Sequence, residues 1–250
     1  MRRGFPHRAD LIELHKTLRE NRDELVKILS VYKAATQEAS VVRSTLTPED
    51  IPLFVPEVHS VVSETLNIEH IPAYTVTLSG NTLSHFWNGE TLSLKRRRFG
   101  FLDIFSTPEH TYTVMSTYAH PGSVTIANLL SPTQLPGSFG HELAHHVTLH
   151  SPANWSVLHP LSEGIARWTE IAVANAFEQK GFTGASLRSC KHLVQDLEYA
   201  VSCANKESCT FNTEARYALG VGAVALARER DPSILPKLVS VGPEALSRVI

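Results

Sequence analysis

HELAHHVTLHSPANWSVLHPLSEGIARWTE, residues 141–170, decides how this chain is read. On a helix turning about 100° per residue, His141 and His145 lie about 40° apart on one face, one turn along. Two neutral imidazoles so placed can bind one metal ion at about 2.0–2.1 Å each. Glu142 is carried beside them, where it can take a proton from a water that the metal has acidified. Leu143, Ala144 and Val147 make this helix partly buried, and a buried pair of histidines needs a partner. His146 is turned about 100° from His145, and His150 about 180° from His141, so both read as solvated or partly packed surface. His159, in the loop before Pro160, could reach the same site.

A third ligand comes from residues 162–170, Ser-Glu-Gly-Ile-Ala-Arg-Trp-Thr-Glu. Ser162 is a suitable N-cap. Glu163, Arg167 and Glu170 share one helix face, with Ile165, Trp168 and Ala172 on the other. Packed antiparallel on the helix at 137–150, this segment turns Glu163 toward His141 and His145 and completes a His₂Glu set suited to hydrolytic zinc. Glu170 can then accept the second ring N–H of a ligating histidine and fix its tautomer. A metzincin would need Gly at 148 and His at 151, where this chain has Thr148 and Ser151.

The run His-Glu-Leu-Ala-His, followed after 17 residues by Glu163-Gly164-Ile165-Ala166 and then Glu170, resembles the gluzincin metallopeptidases, closest to the catalytic core of their aminopeptidase branch. That resemblance implies a zincin-like fold, Zn²⁺ on His141, His145 and Glu163, and Glu142 as general base. It also implies a tyrosine, in a Tyr-x-x-Gly helix start, that stabilises the oxyanion. Tyr217-Ala218-Leu219-Gly220 fits that pattern, and Tyr199 is the competing phenol. The aminopeptidase strand motif with its acidic amine anchor is missing, because no Asp or Glu falls between Glu109 and Glu142. Endopeptidase or oligopeptidase action is therefore expected over aminopeptidase action, with Ser123–Leu130 as an edge strand that pairs with an extended substrate. The run HELAHHVTLH, with Glu170 and Ala174-Asn175-Ala176-Phe177, is also similar to ImmA/IrrE-type metallopeptidases, in which Glu170 would be the third ligand. Gly164, Ala166 and the Tyr-x-x-Gly match favour Glu163. A non-catalytic zincin-fold metal-binding module, regulatory or interacting, is the alternative function.

Around this core the chain alternates in texture. Apolar residues at three-and-four spacing predict a helix over 9–44, and another after Pro56. From 73 to 130 short runs rich in Thr, Val, Tyr, Phe and Ile predict a mostly antiparallel sheet. It would have hairpins at Asn88-Gly89, between Leu83–Trp87 and Glu90–Leu94, and at Pro121-Gly122. Helices are predicted at 137–150, 162–179, 187–204, 213–230 and as a last pair near 233–249, with Gly181 and Gly184 closing the second. The order is helices, sheet, helices. It predicts an α+β protein: an N-terminal helical segment over 1–70, then a catalytic domain over 71–250 with its sheet in 71–130 and helices in 131–250.

Composition bounds the partners. Lys+Arg 23 against Asp+Glu 25 gives a formal charge of −2, which argues against polyanion and membrane-surface binding. Lys95-Arg96-Arg97-Arg98 reads as a solvated strand edge that discourages sheet-to-sheet pairing. Arg8, Asp10, Glu13 and Lys16 interrupt any apolar leader, and Pro121, Pro132 and Pro136 break the longest uncharged stretch. Three cysteines, Cys190, Cys203 and Cys209, are too few and odd in number for a disulfide framework; they read as buried thiols, with a Cys203–Cys209 pair as the alternative. The expectation is a cytoplasmic zinc peptidase acting on a peptide or protein, without nucleic-acid or membrane partners.

Overall fold

The computed structural model describes residues 8–37, 51–79, 83–87, 92–96, 116–119, 123–127, 135–153, 159–181 and 185–250. Among these, eight α-helices form: α1 (Arg8–Glu20), α2 (Arg22–Gln37), α3 (Ile51–Leu66), α4 (Leu135–His150), α5 (Pro160–Gln179), α6 (Ala185–Ala204), α7 (Thr213–Arg230) and α8 (Ile234–Val241). A 3₁₀ helix, Pro243–Arg248, follows. Five strands of four or five residues lie between α3 and α4: β1 (Thr75–Ser79), β2 (Leu83–Trp87), β3 (Leu92–Arg96), β4 (Ser116–Ala119) and β5 (Ser123–Ala127).

The expected α+β, zincin-like architecture with a mostly antiparallel sheet is corrected by this organisation. The protein is predominantly helical, and Val76 of β1 and Val124 of β5 join the core that the helices build. The sheet has the order β3-β2-β1-β5-β4. Its outer pairings are antiparallel, but the pairing that joins its halves, β1 with β5, is parallel. The Thr- and Val-rich texture of 73–130 signals extended chain but not how much of the core that chain supplies. Residues 213–230 carry that information instead. Ala215, Ala218, Leu219, Val221, Ala223, Val224, Ala225, Leu226 and Ala227 bury α7 on all sides, as a helix apolar all round must be. Around it pack α1, α2, α5, α6 and α8.

Several local expectations change as well. The helix at 9–44 is two, breaking at Asn21, whose side chain donates to Thr17 O at 2.8 Å. Leu11, Leu14, Leu18, Leu25, Ile28 and Leu29 join the common core, so α1 and α2 are packing elements of the body. The third helix begins at Ile51 with Pro56 inside it. β2 and β3 pair with Trp87 opposite Leu92, a register that differs from the pairing of Trp87 with Glu90 that a two-residue Asn88-Gly89 turn would give. β5 is interior and, among the described strands, β4 is the edge, so the edge assigned to Ser123–Leu130 is corrected. Lys95 and Arg96 end the other edge strand, β3. Residues 38–50, Asn88-Gly89, Pro121-Gly122, Arg97-Arg98 and Gly184 lie outside the described residues. No helix of the described residues is long and apolar enough to cross a membrane.

Two glycine contacts set the helix spacing near the motif. A Cβ on Gly140 of α4 would lie 2.7 Å from Val173 Cγ2 of α5. A Cβ on Gly220 of α7 would lie 1.8 Å from Pro160 O, and one on Gly164 of α5 would lie 2.5 Å from Gly220 O. Backbone thus meets backbone where α5 crosses α7, and no side chain can separate them. Gly220→Ala is expected to cost about 3 kcal/mol or more by overpacking. That corresponds to a fall in Tm of about 6–12 °C for a chain of this size, read by thermal denaturation of the metal-free protein.

Candidate metal centre

α4 is buried along almost its whole length, which places both motif histidines away from bulk solvent. His141 Nε2 and His145 Nε2 face each other at 3.3 Å. The Glu163 carboxylate closes the triangle, with Oε2 3.5 Å from His141 Nε2 and Oε1 3.5 Å from His145 Nε2. Ligands at about 2.0–2.1 Å from a tetrahedral zinc ion lie about 3.4 Å from one another, so the three groups fit the ion in both chemistry and spacing. Among the described residues this is the only group of three or more potential ligands that converges.

The far sides of the imidazoles are supported differently. His145 Nδ1 meets Ser162 Oγ at 3.0 Å, and Ser162 in turn meets Thr148 Oγ1 at 3.3 Å. In the tautomer that presents Nε2 to a metal, Nδ1–H donates to this hydroxyl. His141 Nδ1 lies 3.3 Å from Glu170 Oε2, within ion-pair reach but without the alignment of a full hydrogen bond. Glu170 therefore faces the opposite nitrogen from the one that converges with Glu163. This geometry favours Glu163 over Glu170 as ligand and leaves Glu170 to orient the ring.

Electrostatics follow from burial. Desolvation alone would raise the Glu163 carboxyl, but His145 and His141 outweigh it and hold it well below the usual carboxylate range. Glu170 is held well below its ordinary value because Arg167, ahead of the two histidines, overcomes its burial. Burial opposes protonation of His141, yet Glu163 and Glu170 beside it push it up to about 10. Without a metal, a proton on His141 thus balances carboxylate charge at the site.

Glu142, next to His141 on α4, is buried. Tyr217 is partly exposed on the second turn of α7, where burial and then Glu163 raise its phenol. Glu142 also acts on it from within electrostatic reach. Tyr199 is turned elsewhere, its hydroxyl 3.5 Å from Oδ1 of Asn212, the α7 N-cap.

The remaining histidines of the cluster have structural partners. His159, not Ser162, caps α5: its Nδ1 accepts from Leu161 N at 3.2 Å. Burial lowers its pKa and so keeps that nitrogen an acceptor. Ser162 is freed to serve His145. His146, expected at the surface, is fully buried, with Nε2 2.9 Å from Pro72 O. His150 Nδ1 lies 2.9 Å from His146 O at the end of α4. Sequence reasoning missed Ser162 as a histidine partner and missed His192 and Asp196 of α6, which reach the site through Glu170 and Arg167. The Ser162 role had one signal, its position directly before Glu163.

Comparison with known protein families, characterised proteins and solved structures gives no match to this chain.

Metal analysis of purified variants separates the two carboxylates. Glu163→Ala is expected to lose stoichiometric zinc, whereas Glu170→Ala retains a site weakened about 10–100-fold, as loss of a group behind a ligand does. Zinc loss in Glu170→Ala alone would reverse the assignment.

Proposed function

We propose that this protein is a zinc-dependent peptidase. The observation that carries the reading is the convergence of His141 Nε2, His145 Nε2 and the Glu163 carboxylate at 3.3–3.5 Å, with a further buried carboxylate, Glu142, on the same helix. Zinc, when bound, supplies Lewis acidity and makes water acidic enough to ionise near neutral pH.

The chain's own groups supply the rest. The Glu142 carboxylate takes the proton of the attacking water and returns it to the leaving amine, the general-base and general-acid roles of peptide hydrolysis. The Tyr217 hydroxyl, kept in its donor form by a raised pKa, donates to the substrate carbonyl oxygen as negative charge develops. Ser162 and Glu170 hold the imidazoles in their ligand tautomer from behind.

The substrate is a peptide or protein segment in extended form. β4 packs near α4 and is the sheet's edge on that side, so substrate can add to it as a further strand. Neither β4 nor β5 carries a carboxylate to anchor a free amino terminus, which favours endopeptidase or oligopeptidase action.

Two variants test the reading on a library of unmodified and end-blocked peptides. Glu142→Gln is expected to keep stoichiometric zinc while hydrolysis falls about 10²–10⁴-fold. Tyr217→Phe is expected to lower kcat about 10²–10³-fold with zinc again retained. Undiminished hydrolysis by zinc-loaded Glu142→Gln would overturn the mechanism.

A further inference from the structure

The Glu170 carboxylate is shared by three helices. Its Oε2 faces His141 Nδ1 of α4 at 3.3 Å and pairs with Arg167 Nη1 of its own helix, α5. Its Oε1 faces His192 Nδ1 of α6 at 3.4 Å. Arg167 in turn donates through Nε to Asp196 Oδ2 of α6 at 2.8 Å. One guanidinium therefore uses one edge to grip α6 and another to grip Glu170.

We propose that Arg167 and Asp196 are positioning residues for the metal centre, a two-part clamp through which α6 aims Glu170 at His141. The proposal rests on the metal-centre reading above. A guanidinium is planar and its donors point in fixed directions, so anchoring Nε on Asp196 fixes where Nη1 points. Lysine carries the same charge but has no fork and cannot hold both partners in one geometry. Glu170 would also be an uncompensated buried anion without Arg167, and such a group is costly. With the clamp, the carboxylate stays charged and faces the imidazole nitrogen opposite the metal side. His192, on the same face of α6 as Asp196, limits rotation of the carboxylate from the other oxygen.

The clamp predicts an effect on zinc affinity that simple loosening of the fold does not produce. Zinc dissociation constants are measured by competition with a chromophoric chelator for the wild type, Asp196→Ala, Asp196→Asn and Arg167→Lys. Circular dichroism and thermal melting are recorded on the same metal-free samples. Asp196→Ala and Arg167→Lys are expected to bind zinc about 10–100-fold more weakly, with the helical spectrum retained. Asp196→Asn, which keeps an acceptor for Arg167 Nε, is expected to recover most of the affinity. If Asp196→Ala does not fold, Arg167→Lys, which keeps the buried charge, decides alone. Wild-type affinity in the folded Arg167→Lys and Asp196→Ala variants overturns the clamp while leaving the metal centre standing. A wild type that takes up no zinc overturns the metal-centre reading, and the clamp with it.

Discussion

The backbone contact between the start of α5 and the middle of α7 governs the geometry of the site. A Cβ on Gly220 would sit 1.8 Å from Pro160 O, so the two helices touch without any intervening side chain. Gly164, on the α5 side of this contact, directly follows Glu163, and Tyr217 stands three residues before Gly220. The crossing therefore fixes the carboxylate and the phenol together. Pro160 at the first turn of α5 and the His159 cap hold that helix start in place, which leaves Ser162 free to turn toward His145. On its other flank α5 meets α4 at Gly140 and Val173, so the two histidines reach Glu163 across a second close approach.

Charge is the second constraint. Glu142, Glu163 and Glu170 are gathered in a region with little access to water, and buried ionised groups persist only when paired. Arg167 offsets Glu170 and is itself shared with Asp196. In the absence of a metal, Glu163 and Glu170 facing His141 favour its protonated form over the cost of its own burial. Buried ion pairs are weak sources of stability, since desolvation offsets most of their attraction. An apolar packing of the same volume would serve the fold at least as well. The concentration of carboxylates and imidazoles on one point is therefore not accounted for by stability alone.

Much of the grouping was legible in the sequence because it depends on short-range helix geometry. The four-residue spacing of His141 and His145 puts both on one face wherever the helix runs, and the short link to α5 returns Glu163 beside them. The boundaries of α6 and α7 could likewise be read from periodicity, and Gly181, at φ +94°, does follow the end of α5. The weight of the sheet was not legible. Thr and Val favour extended chain, but the parallel pairing of β1 with β5 joins segments far apart in sequence, and such a pairing depends on long-range packing rather than local pattern. The caps were misread for a local reason. Ser162 and His159 can each satisfy the N-terminal amides of α5, and only the position of His145 decides which is released. His192 and Asp196 left no trace in the pattern, because polar residues on a helix face look alike whether they meet water or Arg167.

Both supports and ligands of the site belong to helices. α4 and α5 contribute the converging groups, α6 the Asp196 carboxylate that holds Arg167, and α7 the Tyr217 phenol. Such a constellation needs only a turn of helix and one neighbouring helix at a fixed distance, conditions that many architectures satisfy. The His141, His145 and Glu163 triad can therefore form in a predominantly helical body. That is why correcting the fold class leaves the arrangement of His141, His145 and Glu163 unaltered. The spacing of these groups is set in the helix contacts at Gly140, Gly164 and Gly220, where an added methyl group would meet Val173, Gly220 O and Pro160 O and push the helices apart.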